Sequence, residues 1–274
     1  MIENIRLSFQ GIWAHKMRSF LTMLGIIIGI ASIISIVSTI KGTNEQIKQN
    51  LIGAGNNVVR IQLYREDYDY LYDITNEGIP EGVPQVSDDL YDEISKLPQV
   101  EEATVYNRRQ YTNGSLYFGS QPLDGSEMLG VDNSYFSTCK YVVDRGRTFV
   151  PADFKDYNPV CVLDSNAADT LFQGEDPIGK TVEYQGVALI VVGVVEVYNR
   201  FEPTINSIED YYMYMGATTA GKVFLPYSIW PSMFSYDEPQ EVAVRCSTTE
   251  AMSQVGTKVA DLLNGEILNE NVRY

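Results

Sequence analysis

Between Arg18 and Lys41 the chain carries no charged residue: Ser19 to Ile40 reads SFLTMLGIIIGIASIISIVSTI. As an α-helix rising about 1.5 Å per residue, this stretch extends about 33 Å, enough to cross a hydrocarbon core of about 30 Å. One membrane-spanning helix is therefore the first constraint on the fold, and everything after Lys41 lies on one side of a bilayer. A cleaved signal peptide is the rival reading. Its apolar region runs about 7–15 residues and ends in a small-x-small cleavage site. Here the run is longer and leaves through Ser38-Thr39-Ile40-Lys41-Gly42, so it reads as an uncleaved anchor.

Lys and Arg close to a span set its orientation. Arg6, Lys16 and Arg18 precede it against Glu3 alone, whereas Lys41 and Lys48 follow it with Glu45. The bias places residues 1–18 in the cytoplasm, residues 19–41 in the membrane, with Lys16, Arg18 and Lys41 at its boundaries, and residues 42–274 outside the cytoplasm. Ile2, Ile5, Phe9, Ile12 and Trp13 fall at helical spacing and predict a short interfacial helix over Met1 to Lys16. Gly25 and Gly29 form a G-x-x-x-G pair, with Ala31, Ser32 and Ser35 nearby; small residues let a second membrane helix approach closely, so the two glycines are candidate helix-packing positions.

The formal net charge is −16; three basic residues and one acidic residue precede Ser19, leaving −18 on the rest. So acidic a surface argues against nucleic acid as a partner and against direct adhesion to anionic lipid. Cys139, Cys161 and Cys246 are odd in number and widely spaced, which gives neither a disulfide framework nor a zinc site and predicts free buried thiols. The only histidine, His15, precedes the span, so histidine-based catalysis or metal ligation beyond Lys41 is excluded.

Val58 to Tyr64 alternates and reads as a strand, followed by a polar, Tyr-rich insert from Arg65 to Gln85. Ser87 caps a helix whose buried face is Leu90, Ile94 and Leu97, and Val100 to Arg108 is the next strand. A similar unit recurs near the C-terminus: strand Glu241 to Cys246, a capping box Ser247-Thr-Thr-Glu250, and an apolar helical stripe of Met252, Val255, Val259, Leu262 and Leu263. Between them lie strand candidates Met128–Val131, Val160–Leu163, Thr181–Tyr184 and Val187–Val197, a short helix Ser165–Phe172 and a second acidic loop, Tyr198 to Gly221. The pattern predicts an α+β fold. One α+β part, residues 42–108 and 222–274, is built from both ends, and a mostly β part, residues 109–221, is inserted into it.

Gly174-Glu-Asp-Pro-Ile-Gly179-Lys180-Thr181 matches the phosphate-loop pattern G-x-x-x-x-G-K-[ST]. That chemistry needs a strand entering the loop and a helix leaving it. Here the predicted order is helix then strand, and Pro177 removes an amide donor. The segment reads as a turn with Lys180 exposed. Asp67, Asp69 and Asp73 lack the glycine and closing glutamate of a calcium loop and read as a solvated acidic loop. No G-x-S-x-G elbow is present, and no catalytic residue set, metal site or cofactor site emerges.

His15 to Gly42 (HKMRSFLTMLGIIIGIASIISIVSTIKG) resembles the first membrane helix of MacB-type ABC transporter permeases. LIGAGNNVVRI (Leu51–Ile61), LPQVEEATV (Leu97–Val105), GVDNSYF (Gly130–Phe136), DRGRTF (Asp144–Phe149), VCVLDSNAADTLF (Val160–Phe172), DPIGKTV (Asp176–Val182), VVGVVE (Val191–Glu196) and VFLPYSIW (Val223–Trp230) are similar to the family in the same order. The resemblance makes Asp176, Pro177, Gly179 and Lys180 a family turn motif rather than a nucleotide site. It implies an extracytoplasmic core, a porter-like α+β part with an inserted mostly β part, followed by three further membrane helices, so the sequence as given would be the N-terminal part of a permease. It also implies that ATPase activity resides on a separate cytoplasmic subunit. Partners would be that ATPase, a second permease copy as homodimer or heterodimer, an adaptor or membrane-fusion protein, and membrane lipid. The function implied is coupling of ATP hydrolysis to extracytoplasmic motion for efflux or export of antimicrobials, peptides or lipoproteins. The alternative is a single-span receptor or binding module for an extracellular ligand.

Overall fold

The computed structural model describes residues 16–53, 57–66, 70–109, 114–198 and 221–274. The chain divides into two compact units, Met1–Asn50 and Leu51–Tyr274. Helix α1 (Lys16–Gly53) runs for 38 residues without interruption, most of them in the first unit. Its part Lys16–Gly42 is long and apolar enough to cross a membrane. Leu21, Ile26, Ile27, Ile30, Ile33 and Ile36 are exposed all round this helix, the pattern of a helix whose solvent is hydrocarbon. The interfacial helix expected over Met1 to Lys16 lies, save for Lys16, outside the described residues.

The second unit is built on an 11-stranded sheet. Its strands are β1 (Val58–Ile61), β3 (Val100–Arg109), β4 (Leu116–Phe118), β5 (Gln121–Leu123), β6 (Glu127–Val131), β7 (Tyr141–Gly146), β8 (Val160–Asp164), β9 (Thr181–Tyr184), β10 (Val187–Val197), β11 (Lys222–Pro226) and β12 (Glu241–Cys246). Their order is β1-β12-β3-β6-β11-β8-β10-β9-β4-β5, with β7 on the far half of β10. A two-stranded ribbon joins β2 (Tyr64–Arg65) to β13 (Val272–Arg273). The helices are α2 (Ile74–Glu77), α3 (Asp88–Ser95), α4 (Tyr135–Thr138), α5 (Pro151–Lys155), α6 (Ser165–Phe172) and α7 (Met252–Asn264), with a 3-10 turn over Tyr227–Ser232.

Alternation along the strands divides the core. In β12, Val242, Val244 and Cys246 face α3 and α7, where they pack with Ile94, Val255 and Val259. Ala243 turns to the opposite face and joins an aromatic cluster of Tyr106, Tyr135, Phe136, Tyr141 and Phe224. In β6 and β11, Met128, Val223 and Leu225 pack with Leu171 and Phe172 of α6 and with Trp230.

Local chemistry explains the helix starts. The Ser87 hydroxyl accepts from the Leu90 amide at 3.2 Å and caps α3. The Asp164 carboxylate does the same for α6, accepting from the Ala167 amide at 2.8 Å. Two expectations change. Val58 to Tyr64 is not one strand: β1 ends at Ile61 and Tyr64 pairs instead with Arg273. The box Ser247–Glu250 does not cap α7, which starts at Met252; instead the Thr248 hydroxyl accepts from the Ala251 amide at 3.3 Å. The polar insert also holds α2, capped by Asp73, whose carboxylate accepts from the Thr75 amide at 2.9 Å. Asp67, Asp69 and most of the second acidic loop lie outside the described residues.

Candidate functional site

Gly25 and Gly29 lie one turn apart on the same face of α1, and a methyl group added to either would touch nothing within 4 Å. That face is open, with small residues where two backbones could come close. Lys16 and Arg18 begin the helix and Lys41 sits near the end of its apolar part; all three are exposed.

The turn after α6 is built by its backbone. Gln173 ends the helix in the left-handed conformation, and Gly179 takes φ +77°. The Gly179 amide donates to the Val191 carbonyl at 2.8 Å, the Lys180 amide to the Pro177 carbonyl at 3.1 Å, and the Val191 amide to the Lys180 carbonyl at 2.9 Å. The Asp176 carboxylate accepts from the Ile178 amide at 3.2 Å, and Pro177 is buried. Lys180 pairs with Glu175, and its ammonium lies 5.1 Å from the Phe118 ring centroid. Helix α6 enters the turn and strand β9 leaves it, the reverse of a phosphate loop, and the Glu175, Ile178, Gly179 and Lys180 amides bond protein oxygens.

A row of charges across the sheet was not visible in the sequence. Arg108 on β3 donates through Nε to Glu241 on β12 at 2.8 Å and lies 3.8 Å from Glu127 on β6. Glu127 also pairs with Lys222 on β11 at 3.1 Å, and Gln62 donates to Glu241 at 3.0 Å. The side chains of Arg108, Glu127 and Glu241 are almost fully buried. Beside them, Glu238 is wholly buried and pairs with Arg109. Strand register sets up these pairs: Glu241 lies opposite Tyr106 in the antiparallel pairing of β12 with β3, and Lys222 opposite Glu127 in the parallel pairing of β11 with β6. Only the alternation of β3, with neighbouring Arg108 and Arg109 pointing to opposite faces, hinted at them in sequence.

Burial pushes the Asp164 carboxyl above its ordinary range, against hydrogen bonds from the Lys222 and Ala167 amides. Asp153 behaves oppositely. Burial would raise its pKa, but hydrogen bonds from Arg147 and the Val150 amide, together with the Arg147 charge, hold it below the usual value. Cys139, Cys161 and Cys246 are free and buried, and burial raises each thiol. Among the described residues no cluster of metal-ligating side chains occurs.

Residues 19–262 match the family model of the MacB-like periplasmic core domain. Over 272 residues the chain is 32% identical to the uncharacterized ABC transporter permease YvrN of Bacillus subtilis, covering 96% of this chain and 61% of that protein. It is 34% identical over 195 residues to the macrolide export ATP-binding/permease protein MacB of Neisseria gonorrhoeae, covering 71% of this chain and 28% of that one. The chain thus spans about three fifths and about a quarter of the lengths of these relatives. In fold it is similar to the periplasmic region of MacB from Actinobacillus actinomycetemcomitans, with TM-score 0.55, 18% identity and coverage of 83% of this chain and 92% of that one. It is also similar to the extracellular domain of the transporter YknZ from Gram-positive bacteria, with TM-score 0.51, 18% identity and coverage of 78% and 98%. An apolar helix joined to this sheet, with the family match running through both, makes the chain a member of the MacB-like periplasmic core domain family of ABC transporter permeases.

Proposed function

We propose that this chain supplies the first membrane helix and the extracytoplasmic core of a MacB-like permease. In this reading a cytoplasmic ABC ATPase drives a shift of α1, and the core outside the membrane changes arrangement. That motion expels antimicrobials, peptides or lipoproteins. A second permease copy packs against Gly25 and Gly29, and Lys16, Arg18 and Lys41 set the helix depth in the lipid. An adaptor or membrane-fusion protein meets the core.

The observation that carries this reading is the unbroken helix α1. Beyond its apolar part it continues for Thr43 to Gly53, about 16 Å of helix, and only four residues separate its end from β1. The apolar part and the residues after it, to Gly53, form one continuous helix, and in this reading they move together. The core clusters support the expected division of the chain: residues 42–108 and 222–274 supply the cluster around Val244 and Val255, and residues 109–221 supply most of that around Leu171.

Orientation tests the reading. Because the three native thiols are buried, a cysteine placed at exposed Tyr236 is the reactive one. In cells whose inner membrane is intact, Tyr236→Cys should react with a membrane-impermeant maleimide, whereas Lys16→Cys should react only after lysis. The opposite pattern puts the core in the cytoplasm and ends the proposal.

A further inference from the structure

Glu238 is completely buried although it sits in the loop between the 3-10 turn and β12. Its carboxylate accepts from Arg109 Nε at 3.3 Å and from Arg109 Nη2, from the Trp230 indole at 3.2 Å and from the Ser235 amide at 3.1 Å. A buried ion pair adds little stability over apolar side chains of the same volume, but it fixes geometry. What Glu238 fixes is one wall of a surface cleft of about 350 Å³, lined by Arg109, Ser235, Phe234, Met233, Tyr184 and Gln185.

The chemistry of the cleft is specific. Phe234 packs tilted against Trp230 with centroids 4.3 Å apart and meets Tyr184 at 5.8 Å. The Arg109 guanidinium lies 5.2 Å from the Phe234 centroid, which holds that ring in place. Glu238 occupies Nε and Nη2 of Arg109, and among the described residues Nη1 takes no hydrogen-bond partner. Glu238 also cancels the Arg109 charge, so the cleft presents a donor without net positive charge. A carboxylate ligand gains little there; a neutral carbonyl is matched. The exposed Gln185 side chain adds a donor and an acceptor at the rim. The volume is at the small end for ligand pockets, room for one large side chain with its flanking peptide groups.

We propose that this cleft binds an aromatic residue within an uncharged peptide segment. The ring lies on Phe234 and Met233, and the peptide carbonyl accepts from Arg109 Nη1, with Gln185 holding the adjoining amide. Binding here does not depend on the coupling role of α1, so either proposal can fail alone.

Trp13→Phe leaves Trp230, behind the cleft, as the only tryptophan and gives an optical reporter. In detergent micelles, N-acetyl-L-phenylalaninamide should change its fluorescence saturably in the millimolar range. Ser235→Phe fills the exposed rim and should weaken binding about tenfold or more; Gln185→Lys provides a second variant should the first misfold. N-acetyl-L-phenylalanine, with its free carboxylate, should bind no tighter than the amide. The proposal is overturned by the absence of a saturable change, by unaltered affinity in a variant with native circular dichroism, by tighter binding of the carboxylate, or by equal binding of N-acetyl-L-alaninamide.

Discussion

Gly193 shows how narrowly single residues are constrained. A Cβ there would lie 2.0 Å from the Arg147 carbonyl oxygen, and one at Gly146, where φ is +73°, would lie 2.3 Å from the Val192 carbonyl oxygen. The two glycines are paired where β7 meets β10, near the points at which the register of β10 shifts against β7 and against β8. Backbone cannot give way as a flexible side chain can, so Gly193→Ala should cost about 2–3 kcal/mol, read from the urea midpoint at unchanged slope. Asp153 makes a different prediction. Its folded pKa is depressed, so it adds stability above the ordinary aspartate value of about 4. That contribution disappears as pH falls through the lower folded value. Asp153→Asn should therefore be less stable than the native protein at pH 7, with the gap closing as pH falls below about 4 in thermal melts.

At the scale of elements, the long apolar helix and the strands with β-branched runs were legible from sequence. α6 was read to its ends, because Asp164 caps it and Ala167, Ala168, Leu171 and Phe172 keep helical spacing. The element order around the turn after it, helix then strand, was also legible. The failures have physical causes. β4, β5 and β13 are three residues or fewer, too short for a period to register. The start of α7 slid past Glu250 because Thr248 bonds one residue ahead of the helix instead of capping its first turn. The Arg108 network depends on register between separate strands, and Arg109 on a loop residue, Glu238, distant in sequence; no local pattern encodes either. Helix α1 carries its own prediction. Gln46→Pro breaks the part beyond the apolar segment by about 3 kcal/mol of local helix stability. In proteoliposomes with the ATPase subunit it should abolish stimulation of ATP hydrolysis while leaving the thermal melt of the sheet unchanged. Replacing Gly25 and Gly29 with Leu should weaken helix association in the same vesicles, measured by cross-linking.

On the scale of the whole molecule, the sheet crosses the expected boundary between the two parts without a break, because β3 pairs with β6 and β6 with β11. Arg108 and Glu127 lie on that seam. Calorimetry of the detergent-solubilised protein should accordingly show one cooperative unfolding transition for the sheet region rather than two. Arg108→Met leaves Glu127 and Glu241 buried without their shared cation. It should lower that transition by about 3–5 kcal/mol without splitting it. A split transition would mean that the inserted part folds alone.

The three sequestered thiols have a consequence for biogenesis. With every sulfur capped by packing rather than by another sulfur, the native state owes nothing to an oxidant. Folding of these residues calls for no disulfide to form, and dithiothreitol should leave the melting temperature where it was. This part of the chain should therefore reach its native state as readily in a reducing medium as in an oxidising one.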